Sequence, residues 1–126
     1  MATAPQSTIA GMRVLMVEDE MMLAMSLEDL LNLLGCKVVK AANVAKALKL
    51  AGTETVDGAL LDVNLAGKRV YPVAAELERR GIPFVFMTGY DTDRLDGDYR
   101  GHPALQKPFQ MDEMERVMAA TFTRPG

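Results

Sequence analysis

Asp62 closes a short apolar run, Gly58-Ala59-Leu60-Leu61, and a polar loop reaching Gly67 follows it. A buried parallel strand delivers a side chain to the carboxyl edge of a sheet in this way. Ligand crevices of open α/β sheets lie outside that edge. Alone, such an aspartate reads better as a plain helix cap or turn residue. Three other apolar runs end on groups that complement it: Glu18-Asp19 after residues 12–17, Thr88 after residues 83–87, and Lys107 after residues 104–106. Three carboxylates at one site repel one another unless a cation neutralises them. Oxygen ligands suit Mg²⁺, which binds through one or two carboxylates plus phosphate oxygens. A hydroxyl and an ammonium group could then hold the remaining oxygens of a phosphoryl group, with Asp62 as the nucleophile. Phosphoryl transfer asks mainly for positioning and charge neutralisation, which this set could supply.

Bringing these ends together requires strands alternating with helices. Residues 12–17 read as a first strand by their unbroken apolar run. A helix is predicted over 20–34, with Leu23, Leu27, Leu30, Leu31 and Leu34 on one stripe and Gly35 as its left-handed cap. Residues 37–40 form a short second strand. Asn43 caps a second helix, with Val44, Ala47, Leu48 and Ala51 inward and Gly52 after it. The third strand, 58–61, ends at Asp62. A third helix over 70–80 turns Val73, Ala74 and Leu77 inward and stops at Gly81. Residues 83–87 are the fourth strand, with Pro83 at the first position, where it is tolerated. Residues 89–103 hold three glycines, one proline and four aspartates, so at most a short helical turn over 92–95 is expected. Residues 104–106 make the fifth strand, and a last helix over 110–122 carries Met114, Val117, Met118 and Thr121 on one side.

Strands alternating with helices imply right-handed crossovers. The expected fold is a flavodoxin-like, doubly wound, five-stranded parallel sheet in the order 2-1-3-4-5, with the fourth helix eroded. One domain over 12–122 is expected, with a disordered leader over 1–11 and a frayed end over 123–126.

Composition narrows the functions. The chain has 126 residues and a net charge of −3, so a basic nucleic-acid face is not indicated. No apolar run is long enough to span a bilayer, and residues 1–10 lack the pattern of a signal peptide. The single Cys36 cannot form an internal disulfide, which points to a reducing cytoplasm. It is expected to pack as a small hydrophobe.

Taken together, Glu18-Asp19, Asp62, Thr88 and Lys107-Pro108 make the chain resemble the receiver domains of two-component response regulators, over residues 12–122. The resemblance implies that Asp62 accepts a phosphoryl group from a histidine kinase or a phosphotransfer protein. It implies that Asp19 binds Mg²⁺ directly, Glu18 through water, and Asn64 through its backbone carbonyl. Thr88 and Lys107 would contact the phosphoryl oxygens, and Lys107-Pro108 would be cis. Residues 83–90, Pro-Phe-Val-Phe-Met-Thr-Gly-Tyr, are similar to the signature of the FATGUY receivers, with Met87 where alanine is usual. Such receivers are mostly stand-alone and often pair with kinases of the HWE or HisKA2 type. Most receivers carry a switching Tyr or Phe three residues before the lysine; here Ala104 stands there. The switch is therefore expected in the loop that starts at Gly89, led by Tyr90, as an ordering of residues 89–102 on phosphorylation.

Ten methionines stand against no tryptophan. Those at 12, 16, 87, 111, 114 and 118 are expected in the core. Met21, Met22 and Met25 point away from the leucine stripe and read as an adaptable docking patch for the phosphodonor. His102, in a Gly-His-Pro turn, is expected to be solvated and without a role. Output through partner binding and action as a phosphate sink both remain open, and a monomer is expected. A Mg²⁺ phosphatase of the haloacid-dehalogenase type would need a second acid two residues after Asp62. Asn64, which cannot cycle a proton, stands there instead. Another alternative is a receiver-fold interaction module that is not phosphorylated. A nucleotide binder would place phosphate against Glu18-Asp19-Glu20, which would repel it. No turnover enzyme is expected beyond self-catalysed phosphorylation and dephosphorylation of Asp62.

Overall fold

A computed structural model describes residues 8–89 and 95–122. Strand β1 (Arg13–Val17) leads to helix α1 (Met21–Leu33), β2 (Lys37–Ala41) and α2 (Val44–Thr53). Strand β3 (Gly58–Asp62) is followed by two short strands, β4 (Asn64–Leu65) and β5 (Lys68–Arg69), and by α3 (Tyr71–Arg79). Then come β6 (Phe84–Thr88), a 3₁₀ turn (Gly97–Tyr99), β7 (Ala104–Gln106) and α4 (Met111–Phe122). Five strands form one parallel sheet in the order β2-β1-β3-β6-β7. That is the expected flavodoxin-like order once the small antiparallel pair β4–β5 is set aside.

The strand pleat divides the core in two. Leu15, Val17, Leu61, Phe84 and Phe86 face Ala47 and Ala51 of α2 and Val73, Ala74 and Leu77 of α3. Val14, Met16, Leu60, Val85, Met87 and Leu105 face Leu27 and Leu31 of α1 and Met114 and Met118 of α4. The central strands are buried on both faces, which is why they read as unbroken apolar runs instead of alternating ones. At the start of β3 a side chain is excluded: a Cβ on Gly58 would lie 2.7 Å from the Phe122 ring.

Several local signals hold. Asn43 Oδ1 accepts the Lys46 N–H at 2.8 Å, and Gly35 takes φ +88° after α1. Glu20 caps α1 through its carboxylate, which accepts the N–H groups of Met22 and Leu23. Cys36 is buried, as expected, and its thiol lies 3.4 Å from the Ile9 carbonyl.

Other expectations need correction. Ile9, inside the stretch expected as leader, is fully buried against Cys36 and the α1 side of the core. Residues 1–7 and the frayed end lie outside the described residues. Gly52 falls inside α2, because the helix runs on to Thr53 and closes through the Glu54 N–H. Met111 is 40% exposed, as the first residue of α4, while Met16, Met87, Met114 and Met118 are buried. The turn expected over 92–95 falls largely outside the described residues. Among the described residues the β6–β7 connection holds no α-helix, only the 3₁₀ turn.

Candidate functional site

The carboxyl edge of the sheet gathers the candidate groups. Asp62 is the last residue of β3 and Thr88 the last of β6, while Glu18 and Lys107 directly follow β1 and β7. Backbone ladders continue past the strands and hold these ends in place. Glu18 N–H donates to the Ala41 carbonyl at 3.1 Å, Val63 N–H to Met87 at 3.1 Å, and Lys107 N–H to Thr88 at 2.7 Å. The Lys107–Pro108 peptide is cis.

Lys107 Nζ stands 3.1 Å from Glu18 Oε1 and 3.5 Å from Asp62 Oδ2. Asp62 and Glu18 are 4% and 3% exposed, whereas Asp19 is open to solvent. Glu18 Oε2 accepts the Glu20 N–H, and Asp62 Oδ1 accepts the Asn64 N–H at 3.3 Å. One carboxylate oxygen from each of Glu18, Asp19 and Asp62 lies within 4.8 Å of the others. Burial, and then the neighbouring Glu18 carboxylate, push Asp62 up to about 7; Lys107 and the Asn64 amide oppose the shift without cancelling it. Burial works against the charge on Lys107, but Asp62 and Glu18 outweigh it and hold the ammonium above its usual pKa. One lysine therefore does not neutralise three acids. An all-oxygen donor set with excess negative charge fits a hard divalent cation such as Mg²⁺.

The Asn64 side chain closes a turn: its Oδ1 accepts the Gly67 N–H at 3.1 Å, next to Ala66 at φ 51° and Gly67 at φ 86°. Sequence reasoning missed this β4–β5 hairpin. Its only sequence signal was the Asn-x-x-Gly spacing, which suits an Asx-type turn.

Of the expected switch residues, Gly89 directly follows β6 and is half-buried, Ala104 is exposed on the edge strand β7, and Tyr90 lies outside the described residues. Residues 95–102 are not the loose loop the composition suggested. Tyr99 packs edge-on to Phe86 and Phe84, and His102 stacks on Phe84 with centroids 4.3 Å apart. His102 Nε2 also lies 3.1 Å from the Phe84 carbonyl, so the ring is a half-buried packing group and not a solvated one. Tyr71 and Tyr99 went unnoticed, and His102 was misplaced in solvent, because ring-to-ring packing between α3 and the β6–β7 segment leaves no periodic pattern.

Met21, Met22 and Met25 are exposed, at 74%, 71% and 56%, on the first turns of α1. A cavity of about 510 Å³ opens elsewhere, at the amino edge of the sheet, lined by Glu78, Pro83, His102, Pro103 and Thr121 among others. Glu18, Asp19 and Asp62 do not line it. Among the described residues no helix is long and apolar enough to cross a membrane.

The family model of the response regulator receiver domain matches residues 14–119. The solution structure of SdrG from Sphingomonas melonis Fr1 is 45% identical and superposes with a TM-score of 0.79, covering 87% of this chain and 95% of that one. SdrG has also been solved in a BeF₃-activated conformation, at a TM-score of 0.73 and over 88% of this chain and 96% of that one. The receiver domain of the sensor histidine kinase PA1611 from Pseudomonas aeruginosa PAO1, with a magnesium ion coordinated in its active-site cleft, is 25% identical. It has a TM-score of 0.77, over 91% of this chain and 100% of that one. The phyllosphere-induced regulator PhyR of Methylorubrum extorquens is 33% identical over 112 residues, which is 84% of this chain and 42% of PhyR. The chain spans about half the length of the curated relatives it matches.

Proposed function

The chain belongs to the response regulator receiver family of two-component signalling, and from that membership we propose that Asp62 accepts a phosphoryl group from a phosphohistidine. The observation that carries this reading is the ammonium of Lys107 placed between two buried carboxylates, 3.5 Å from Asp62 and 3.1 Å from Glu18. Such a group neutralises charge at an acceptor oxygen without being consumed. Support also comes from SdrG, whose activated conformation was obtained with BeF₃, a stand-in for a phosphoryl group.

Asp19, Asp62 and the Asn64 carbonyl would hold Mg²⁺ directly, with Glu18 acting through water. The ion supplies charge neutralisation for the phosphoryl oxygens. This chain's own residues do the rest. An Asp62 oxygen forms the new P–O bond as the P–N bond to histidine breaks, and the imidazole nitrogen keeps the electron pair. Lys107 stabilises the charge that collects on the phosphoryl oxygens, and Thr88, at the end of β6, offers its hydroxyl to them. Hydrolysis of the acyl phosphate by water returns free phosphate and restores Asp62. No turnover on free substrates is involved.

The donor we propose is a histidine kinase, of the HWE or HisKA2 type by the FATGUY-like stretch at residues 83–90, or a histidine phosphotransfer protein. It docks on Met21, Met22 and Met25, whose exposure next to the acidic loop supports the assignment. The proposed unit runs from Ile9 to Phe122, works as a monomer in a reducing cytoplasm, and either signals through a partner or drains phosphate from the kinase. The deciding test is intact-mass measurement after incubation with Mg²⁺ and acetyl phosphate. Wild type should gain one phosphoryl group that is labile in base. A labile phosphoryl on Asp62→Ala would overturn the assignment.

A further inference from the structure

Ala104 stands in register with Phe86 and brings only a methyl group to that face of the sheet. Rings from elsewhere cover Phe86. Tyr99 lies edge-on to it with centroids 5.4 Å apart, and Tyr71 at 5.9 Å. The two tyrosines stack on each other at 5.3 Å, their planes 5° apart. Each also ties α3 to residues 95–102. Asp96 N–H donates to Tyr71 Oη at 2.9 Å, and Tyr99 Oη donates to the Glu78 carboxylate at 2.9 Å. Tyr71 is the first residue of α3, and Val70 before it donates its N–H to the Val63 carbonyl at 3.0 Å. Val63 is the residue after Asp62. A path of two covalent steps and two hydrogen bonds thus joins Asp62 to Asp96.

We infer that Tyr71 is a latch through which a change at Asp62 reaches residues 95–102. This rests on the reading of Asp62 as phosphoacceptor. In the state described, the Tyr71 ring is stacked and its hydroxyl holds the Asp96 amide. Asp62 is only 4% exposed, so a phosphoryl group added to it crowds the loop that follows. Through the Val63–Val70 hydrogen bond the start of α3 shifts with that loop, and the Tyr71 hydroxyl leaves Asp96. Asp96 is exposed, so water takes over its N–H at small net cost, and the two latch positions lie close in free energy. That balance is what a two-state element needs if one site is to bias another. Opening the latch loosens the exposed turn at Asp96 and Asp98, the reverse of the ordering that the sequence led us to expect over residues 89–102.

The test is amide exchange by NMR on the whole chain with Mg²⁺, with and without BeF₃⁻. In wild type, BeF₃⁻ should speed exchange of the Asp96 amide about threefold to tenfold, the worth of one exposed hydrogen bond. Tyr71→Phe keeps the stacked ring and loses the hydroxyl. It should show the fast rate without BeF₃⁻ and no further change with it, while fluorine NMR shows BeF₃⁻ uptake as in wild type. Uptake with an unchanged Asp96 rate in wild type overturns the latch, as does a Tyr71→Phe protein that responds like wild type. Absence of uptake in wild type and Asp62→Ala alike would instead remove the phosphoacceptor reading, and the latch with it.

Discussion

Replacing Asp62 by asparagine is expected to stabilise the protein when divalent cations are absent, and the gain should depend on pH. Burial and Glu18 raise the Asp62 carboxyl from 3.8 to about 7. An acid whose folded pKa lies above its unfolded value keeps its proton on folding. Between about pH 4 and pH 7 the folded state therefore binds more protons than the unfolded one, and wild-type stability falls as pH rises through this window. Above it the loss is complete and constant. A shift of about three units corresponds to about 4 kcal/mol as a ceiling. The site is open to water on the side of the exposed Asp19, which screens the repulsion, so about 1–2 kcal/mol is the expected gain at pH 8. Asparagine carries no charge, and Lys107 keeps Glu18 as its partner. Urea unfolding in EDTA at pH 5, 6, 7 and 8 measures the effect. The midpoint of Asp62→Asn should exceed wild type by about 0.5–1 M at pH 8, given usual urea slopes, with the gap shrinking toward pH 5. Millimolar Mg²⁺ should narrow the gap at pH 8 by binding the wild type more tightly. A variant that is no more stable than wild type at pH 8, or a gap that ignores pH, refutes the reasoning.

Three further outcomes follow from the same geometry. Asp19→Ala should weaken Mg²⁺ binding at least tenfold by calorimetry near neutral pH, because it removes the most accessible oxygen of the cluster; unchanged affinity would remove Asp19 from the ligand set. Changing Met21, Met22 and Met25 together to Gln should leave stability within about 0.5 kcal/mol, yet slow transfer from the cognate kinase and not from acetyl phosphate. Equal slowing from both donors, or from neither, counts against a docking patch. Gly58→Ala should cost about 1–3 kcal/mol in urea unfolding, because its Cβ would meet the Phe122 ring at 2.7 Å. A second change, Phe122→Leu, should recover part of that loss.

Much of the site was legible because it is written at strand ends. A parallel strand buried on both faces must be apolar throughout, so the first polar residue after each run marks the carboxyl edge of the sheet. Glu18, Asp62, Thr88 and Lys107 fall there. Chain order then sets the sheet order, and the sheet order brings these groups together. The helix stripes were equally plain, and so was the exposure of Met21, Met22 and Met25, since both follow from helical periodicity. What the sequence could not determine depends on distance between segments. The Lys107 ammonium between Glu18 and Asp62, and the burial that raises Asp62, exist only once β1, β3 and β7 stand side by side. Ile9 looked like leader until Cys36 and α1 gave it a place to pack. Residues 95–102 looked unstructured because glycine and aspartate have poor local propensity. Rings supplied by α3 and β6 override that propensity, and only the tertiary structure brings Tyr71 and Phe86 to Tyr99.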